Sequence, residues 1–365
     1  MTYFVPFLAT FLLSGLFTGL LWRLGKKHGI LATPRERDVH KTPIPRLGGL
    51  GIFCSFFLVS LFVFLVTNTS LHFSQSHIFG LDSHLWGIWL GGLVITLIMF
   101  VDDIVGLSTW KKLIAQIVVT ILVIACGIGI ESLSNPFGRT INLNSVYVTL
   151  YNSGGIHYSF SLWSDLLTLV WLVGMMNVMN FVDGVDGLAG GQATIAAFTI
   201  FLLSISTAVN QPATAMIAII LSGAALGFLI WNFPPAKIFM GDSGSMFLGF
   251  VLGVLALISG GKLATILLVL GFPIVDGLIV VTSRLMRGKN PFTTPDKTHM
   301  HHRFLAAGFS PRQAILSLYI ISALFGWIAL SSSTKGKALG FVVLVALVLL
   351  VMVWLKLFEK KRKRT

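Results

Sequence analysis

Residues 162–188 read LWSDLLTLVWLVGMMNVMNFVDGVDGL. The stretch opens on an apolar run, 162–178, which as a helix would cross most of a bilayer core. Its character then changes. Asn177, Asn180 and Asp183 follow at three-residue intervals, which places them along one helical face. Gly184 and Gly187 break the helix just beyond and allow a ligand to approach the backbone closely. Asp183 and Asp186 can then point into one cavity while the asparagines supply amide contacts.

Outward from this stretch, the same alternation of apolar span and polar end recurs. Hydrophobic residues make up 55% of the 365 and charged residues only 11%, against roughly 25% in soluble domains. Mean hydropathy is +0.88. Eleven apolar runs predict an all-α polytopic membrane protein forming a single domain over 1–365. They fall at about 4–22, 49–67, 86–101, 112–130, 162–178, 190–208, 212–231, 244–259, 263–283, 312–331 and 338–357. The run holding Asp276 is interrupted by Gly271, Pro273 and Gly277 and is expected to be broken. The alternating segments Ile141-Asn142-Leu143-Asn144 and Tyr147-Val148-Thr149-Leu150 read as a small external β-hairpin.

The basic residues give the spans a direction. Of 26 Lys and Arg, all but Arg139, Lys262, Lys335 and Lys337 lie in or at the margins of six segments. These are 23–48, 102–111, 179–189, 232–243, 284–311 and the C-terminal tail. The positive-inside rule makes them cytoplasmic, with the N-terminus outside and the C-terminus inside. The net charge of +13 is thereby explained by topology and anionic ligands, without nucleic acid, and no basic stretch interleaved with aromatics lies outside the spans.

Seven of the thirteen acidic residues gather at the cytoplasmic ends of spans: Asp102, Asp103, Asp183, Asp186, Asp242, Asp276 and Asp296. Carboxylates at a membrane boundary pay a desolvation cost and mark function. Asp102 and Asp103 are adjacent and repel one another unless a cation or a shared proton intervenes, a setting that suits Mg²⁺. Lys111 and Lys112 follow closely and would neutralise the pair or meet a phosphate. Around Asp242, Met240-Gly241-Asp242-Ser243-Gly244-Ser245 reads either as an anion-cradling loop or as a capped helix start. His299, His301, His302 and Arg303 follow Asp296 in a basic loop. Without a nearby cysteine or an ordinary zinc spacing, they fit a pyrophosphate surface better, with Arg303 as a bidentate clamp. Lys41 and Arg46, held among prolines and glycines, would steer an anionic substrate.

In order and spacing these segments resemble the polyprenyl-phosphate N-acetylhexosamine-1-phosphate transferases. The matching stretches are His40–Gly49, Asp102-Asp103, Asn177–Leu188, Met240–Ser245 and His299–Arg303. The resemblance implies ten or eleven spans in a bacterial plasma (inner) membrane, with the active site facing the cytoplasm. It also implies a Mg²⁺ cofactor, with Mn²⁺ as a substitute, and a homodimer as one form of assembly. The reaction implied is transfer of a sugar 1-phosphate from a UDP-sugar to a polyprenyl phosphate, releasing UMP. Arg46-Leu47 and His301-His302-Arg303-Phe304-Leu305 are similar to the branch that uses UDP-N-acetylglucosamine and starts teichoic acid, enterobacterial common antigen or O-antigen synthesis. The peptidoglycan branch, phospho-N-acetylmuramoyl-pentapeptide transferase, usually carries threonine-methionine and His-His-His-Phe-Glu there and is the alternative.

Carried over by motif, Asp242 is the Mg²⁺ ligand, with Asp102 and Asp103 beside the metal and the lipid phosphate. Lys41, Asp186, Asn232 and Phe239 line the nucleoside pocket, Phe239 by stacking on uracil. Asn177, Asp183, His301, His302 and Arg303 surround the pyrophosphate and sugar. Asp102 or Asp103 would deprotonate the lipid phosphate, or a carboxylate would form an aspartyl-phosphate intermediate. Two other classes of protein make different demands. An intramembrane serine protease built on Gly241-Asp242-Ser243-Gly244 needs a histidine facing the serine from another span. An ion-coupled transporter needs charges at mid-membrane depth, whereas these lie at helix ends.

Overall fold

The computed structural model describes residues 1–32, 43–67, 73, 77–78, 81–153, 156–258, 263–288 and 300–362. The helices are α1 (Phe4–His28), α2 (Gly48–Thr67), α3 (Ser83–Val105), α4 (Thr109–Ala125), α5 (Leu162–Val182), α6 (Leu188–Ile205) and α7 (Pro212–Asn232). They continue with α8 (Gly241–Ile258), α9 (Leu263–Val269), α10 (Gly271–Met286), α11 (Met300–Ala306), α12 (Pro311–Ser331) and α13 (Thr334–Arg362).

Among the described residues, nine helices are long and apolar enough to cross a membrane: α1, α2, α3, α5, α6, α7, α8, α12 and α13. The bent pair α9–α10 makes a tenth. The eleventh expected run corresponds to α4, whose 17 residues lie at the short end of the spanning range. The expected break is present, as a 79° bend between α9 and α10. It falls at Leu270, and Pro273 sits in the first turn of α10, where a missing N–H breaks no helical bond.

Burial shows which helices face lipid. In α1, Leu8, Leu12, Leu16, Leu20 and Leu24 point outward, while Thr10, Ser14 and Thr18 are buried. Such an inverted pattern suits a hydrocarbon solvent, where small polar residues mediate helix packing. Ser14 Oγ donates to Ala224 O at 2.6 Å, and a Cβ on Gly227 would lie 2.3 Å from Phe11 O, so α1 and α7 meet backbone to backbone. At the centre stands α8, buried from Gly241 to Leu257 and apolar on every side beyond its first turn. Gly249 and Gly253 let α5 close against it, where Trp171 Nε1 donates to Gly253 O at 3.1 Å.

A small antiparallel hairpin is present where the alternating segments predict one. Tyr147–Ser153 pairs antiparallel with Ile156–Ser161, whereas Ile141–Asn142 pairs with Ser132–Leu133.

Candidate active site

The C-terminal end of α3, the start of α4 and the N-terminus of α8 converge. Gly106, with a left-handed φ of 74°, ends α3. Leu107 N–H donates to Asp102 Oδ1 at 2.6 Å and closes the turn. The turn returns the chain as α4, and Lys112 Nζ then lies 2.6 Å from Asp102 Oδ2 and 2.7 Å from Asp242 Oδ2. One ammonium joins two carboxylates from different helices.

Asp103 has a different task. The first N–H groups of a helix lack partners within it. In α8, Asp242 N–H donates to Asp103 Oδ1 at 2.8 Å, and Ser243 N–H and hydroxyl donate to Oδ2 at 3.1 and 2.7 Å. Asp103 is thus an N-terminal cap delivered from α3, its charge set against the positive end of the α8 dipole. Gly241 has a φ of 75°, and a Cβ there would lie 2.4 Å from Asp103 Oδ2, so the position excludes a side chain. Ser243 is fully buried with its hydroxyl on Asp103, a capping arrangement and not that of a protease nucleophile.

Arg46 arrives from the chain preceding α2. Phe239 N–H donates to Pro45 O (2.8 Å), Gly48 N–H to Phe239 O (2.9 Å) and Gly49 N–H to Met240 O (2.8 Å). This backbone pairing places Arg46 Nε 3.7 Å from Asp103 Oδ1 and Nη2 3.8 Å from Asp242 Oδ1. Burial pushes the Arg46 pKa down, but Asp242, Asp103, Asp183 and Asp102 together outweigh it and hold it above the ordinary value. Asp183, at the end of α5, feels the opposite field. Withdrawal from water raises its pKa, Arg46 pulls against that, and Asp242, Asp103 and Asp186 push it further up, to well above the usual carboxylate range. The centre carries more negative charge than Arg46 and Lys112 neutralise.

Asp102, Asp103 and Asp242 each offer an oxygen, all within 4.8 Å of one another. An all-carboxylate donor set in surplus negative charge fits a hard divalent cation such as Mg²⁺. Both Asp103 oxygens already accept hydrogen bonds from α8, so the oxygens best placed for a cation belong to Asp102 and Asp242. Those oxygens are the ones Lys112 holds.

The asparagines lie beneath this centre. Asn180 Nδ2 donates to Ser245 Oγ at 3.1 Å, while Asn177 Nδ2 donates to Gln116 Oε1 and Val173 O, both at 2.8 Å. Gln116 Nε2 in turn donates to Met246 Sδ at 3.4 Å. These amides tie α5 to α4 and α8 below the carboxylates, deeper than the pyrophosphate role expected for Asn177.

To one side, Asp186 Oδ2 accepts Ala236 N–H at 2.9 Å. Asn232 is buried: its Oδ1 accepts Gly187 N–H (2.8 Å) and its Nδ2 donates to Ile238 O (2.9 Å), so it clamps two loops together. Tyr319 OH donates to Gly187 O at 2.5 Å, and Arg312 Nε to Pro234 O at 3.0 Å, supporting the same loops from α12. Phe239 is half-buried beside them. His302 and Arg303 are half-buried on α11, which is held to α10 by Met300 N–H donating to Asp276 Oδ1 at 3.0 Å. Lys41 and His299 lie outside the described residues, as does the side chain of His301.

Of the two lysines, the structure exposes Lys111 and brings Lys112 into the centre. Gln116 carried no expectation at all. The signal for both was a polar stripe in an apolar helix: Lys112, Gln116 and Thr120 recur every fourth residue.

Geometry and membrane setting together define a polytopic enzyme centre of carboxylates and cations suited to phosphate chemistry. Residues 85–260 match the model of Glycosyl transferase family 4. The chain is 30% identical over 352 residues to the probable undecaprenyl-phosphate N-acetylglucosaminyl 1-phosphate transferase of Bacillus subtilis, covering 94% of this chain and 89% of that one. It is 32% identical over 365 residues to the decaprenyl-phosphate N-acetylglucosaminephosphotransferase of Mycobacterium tuberculosis, at 92% and 85% coverage. Similarity also extends to the phospho-N-acetylmuramoyl-pentapeptide-transferase of Halalkalibacterium halodurans, 29% identical over 340 residues, with 90% and 96% covered. The chain belongs to the polyprenyl-phosphate N-acetylhexosamine-1-phosphate transferase family, a group of multi-pass membrane enzymes.

Proposed function

We propose that this enzyme transfers N-acetylglucosamine 1-phosphate from UDP-N-acetylglucosamine to undecaprenyl phosphate at the cytoplasmic face of the plasma membrane. The product would start an envelope polysaccharide such as a teichoic acid or O-antigen. The observation that carries the reading is Lys112 held between Asp102 and Asp242, with Arg46 across from them. Attack of one phosphate on another is opposed by charge, and Arg46, Lys112 and a divalent cation held by the surplus carboxylates would together offset it. Mg²⁺ held by Asp102 and Asp242 would neutralise pyrophosphate oxygens.

Lys112 turns from its carboxylates to a substrate phosphate, and Arg46 holds a second oxygen. Asp102 accepts the remaining proton of the lipid phosphate. An oxygen of that phosphate bonds to the β-phosphorus of the nucleotide sugar, the bond from that phosphorus to the UMP oxygen breaks, and UMP leaves with the electron pair. Asp103 takes no proton, because its oxygens hold the α8 terminus on which Asp242 stands. Purified protein given UDP-N-acetylglucosamine, undecaprenyl phosphate and Mg²⁺ should release UMP and lipid-linked sugar in equal amounts. Release only with UDP-muramyl-pentapeptide would move the enzyme to the peptidoglycan branch.

A further inference from the structure

Away from the carboxylate centre, the ends of α1 and α7 carry a four-residue ladder. Lys26 Nζ lies 4.4 Å from the Trp22 ring centre, the Trp22 and Trp231 rings are 5.5 Å apart at 36°, and Lys237 Nζ lies 5.2 Å from the Trp231 ring. The ladder is built and not incidental. Trp231 Nε1 donates to Gly15 O at 2.8 Å, and Gly19 is needed beneath the indole, since a Cβ there would lie 2.6 Å from its Cζ2. Lys237 is brought back over Trp231 by its own N–H, which donates to Trp231 O at 2.8 Å. Both lysines are exposed and both tryptophans half-buried, and Arg23 and Lys27 are exposed on the same helix end.

Tryptophan pairs at the end of a span mark the headgroup level of a bilayer. A lysine held over an indole face keeps its ammonium at that level and still has N–H groups to offer. The ladder holds cations and no carboxylate, in contrast to the centre around Asp242. We propose that the Lys26–Trp22–Trp231–Lys237 ladder is a binding site for the phosphate headgroup of an anionic bilayer phospholipid, separate from the acceptor-lipid site. Charge complementarity at headgroup depth names the occupant: the indoles meet the glycerol and upper acyl region, and the ammonium groups meet the phosphate.

The test uses the full chain in nanodiscs, comparing phosphatidylglycerol and phosphatidylcholine with brominated acyl chains as quenchers of tryptophan fluorescence. Wild-type protein should be quenched more by the anionic lipid. The excess should shrink in Trp22→Phe, which leaves Trp231 as reporter, and weaken about fivefold in apparent affinity for each of Lys26→Gln and Lys237→Gln, with thermal stability unchanged. Equal quenching by the two lipids, or an excess that survives in the double lysine variant, would overturn the proposal. So would an excess produced by undecaprenyl phosphate and not by phosphatidylglycerol, which would assign the ladder to the acceptor lipid. These readings do not depend on turnover, so they stand apart from the proposed reaction.

Discussion

The Asp103 carboxylate accepts the backbone N–H of Asp242 at 2.8 Å, so the last turn of α3 caps the first turn of α8. Two neighbouring aspartates thereby acquire separate work. Asp103 fixes the helix end on which Asp242 stands, and Asp102 faces Asp242 across Lys112.

Asp103→Ala removes a charged cap that accepts three hydrogen bonds, so α8 loses its anchor. Stability should fall by about 2–3 kcal/mol, combining a lost cap with lost charge-assisted hydrogen bonds. Thermal unfolding in detergent measures this; an unchanged midpoint would remove Asp103 from the capping role.

Lys112 holds one oxygen each of Asp102 and Asp242, two of the carboxylates proposed to hold a divalent cation, so the two cations would compete there. Lys112→Met should therefore bind Mg²⁺ more tightly in the absence of substrate, while kcat falls by about 100-fold or more for want of the phosphate partner. The rise in unfolding temperature on adding Mg²⁺ reports the first effect and UMP release the second. A variant with weaker Mg²⁺ stabilisation would show that Lys112 supports the cation instead of standing in for it.

The raised pKa of Asp183 is a statement about stability. Its ionised form is disfavoured in the folded protein, so relative to an unfolded chain the folded state loses stability as pH rises through the elevated folded pKa. Asp183→Asn removes that loss. In metal-free buffer the variant should match the wild type below about pH 4, where the carboxyl is protonated in both states, and be the more stable of the two at neutral pH. Unfolding midpoints across pH measure the gap, and a variant less stable at pH 7 would contradict it.

Gln116 aims α4. It accepts from Asn177 and donates to Met246, one helical turn from Lys112 on the same face. Gln116→Leu should lower kcat by roughly tenfold with little change in KM for the nucleotide sugar, because the loss falls on the transition state through Lys112. A change confined to KM would place Gln116 in substrate binding.

The sequence made the spans legible because bilayer-length apolar runs need only local composition, and Gly271, Pro273 and Gly277 marked the run holding Asp276 as broken without saying where, the bend falling at Leu270. It also named the four carboxylates of the centre. What it did not reveal were relationships across the bundle. That Asp103 caps α8 depends on a partner 139 residues away, and adjacency gave Asp102 and Asp103 the same expected role. Motif resemblance assigns ligand contacts to Asn177 and Asn232 and says nothing of the Gln116, Gly187 and Ile238 partners that their amides take in the fold. Lys111 and Lys112 could be separated only by the polar stripe through Gln116, which requires the helical phase of α4.

The most direct test of this division of work is the single-turnover rate of sugar-phosphate transfer in Asp102→Asn and Asp103→Asn, each with saturating Mg²⁺. Asparagine at 103 keeps an oxygen for the Asp242 N–H, so that variant should retain turnover within about tenfold of wild type. Asparagine at 102 removes the proton acceptor and a cation ligand, so its rate should fall by about 100-fold or more. Equal losses in both, or the greater loss at Asp103, would contradict the account.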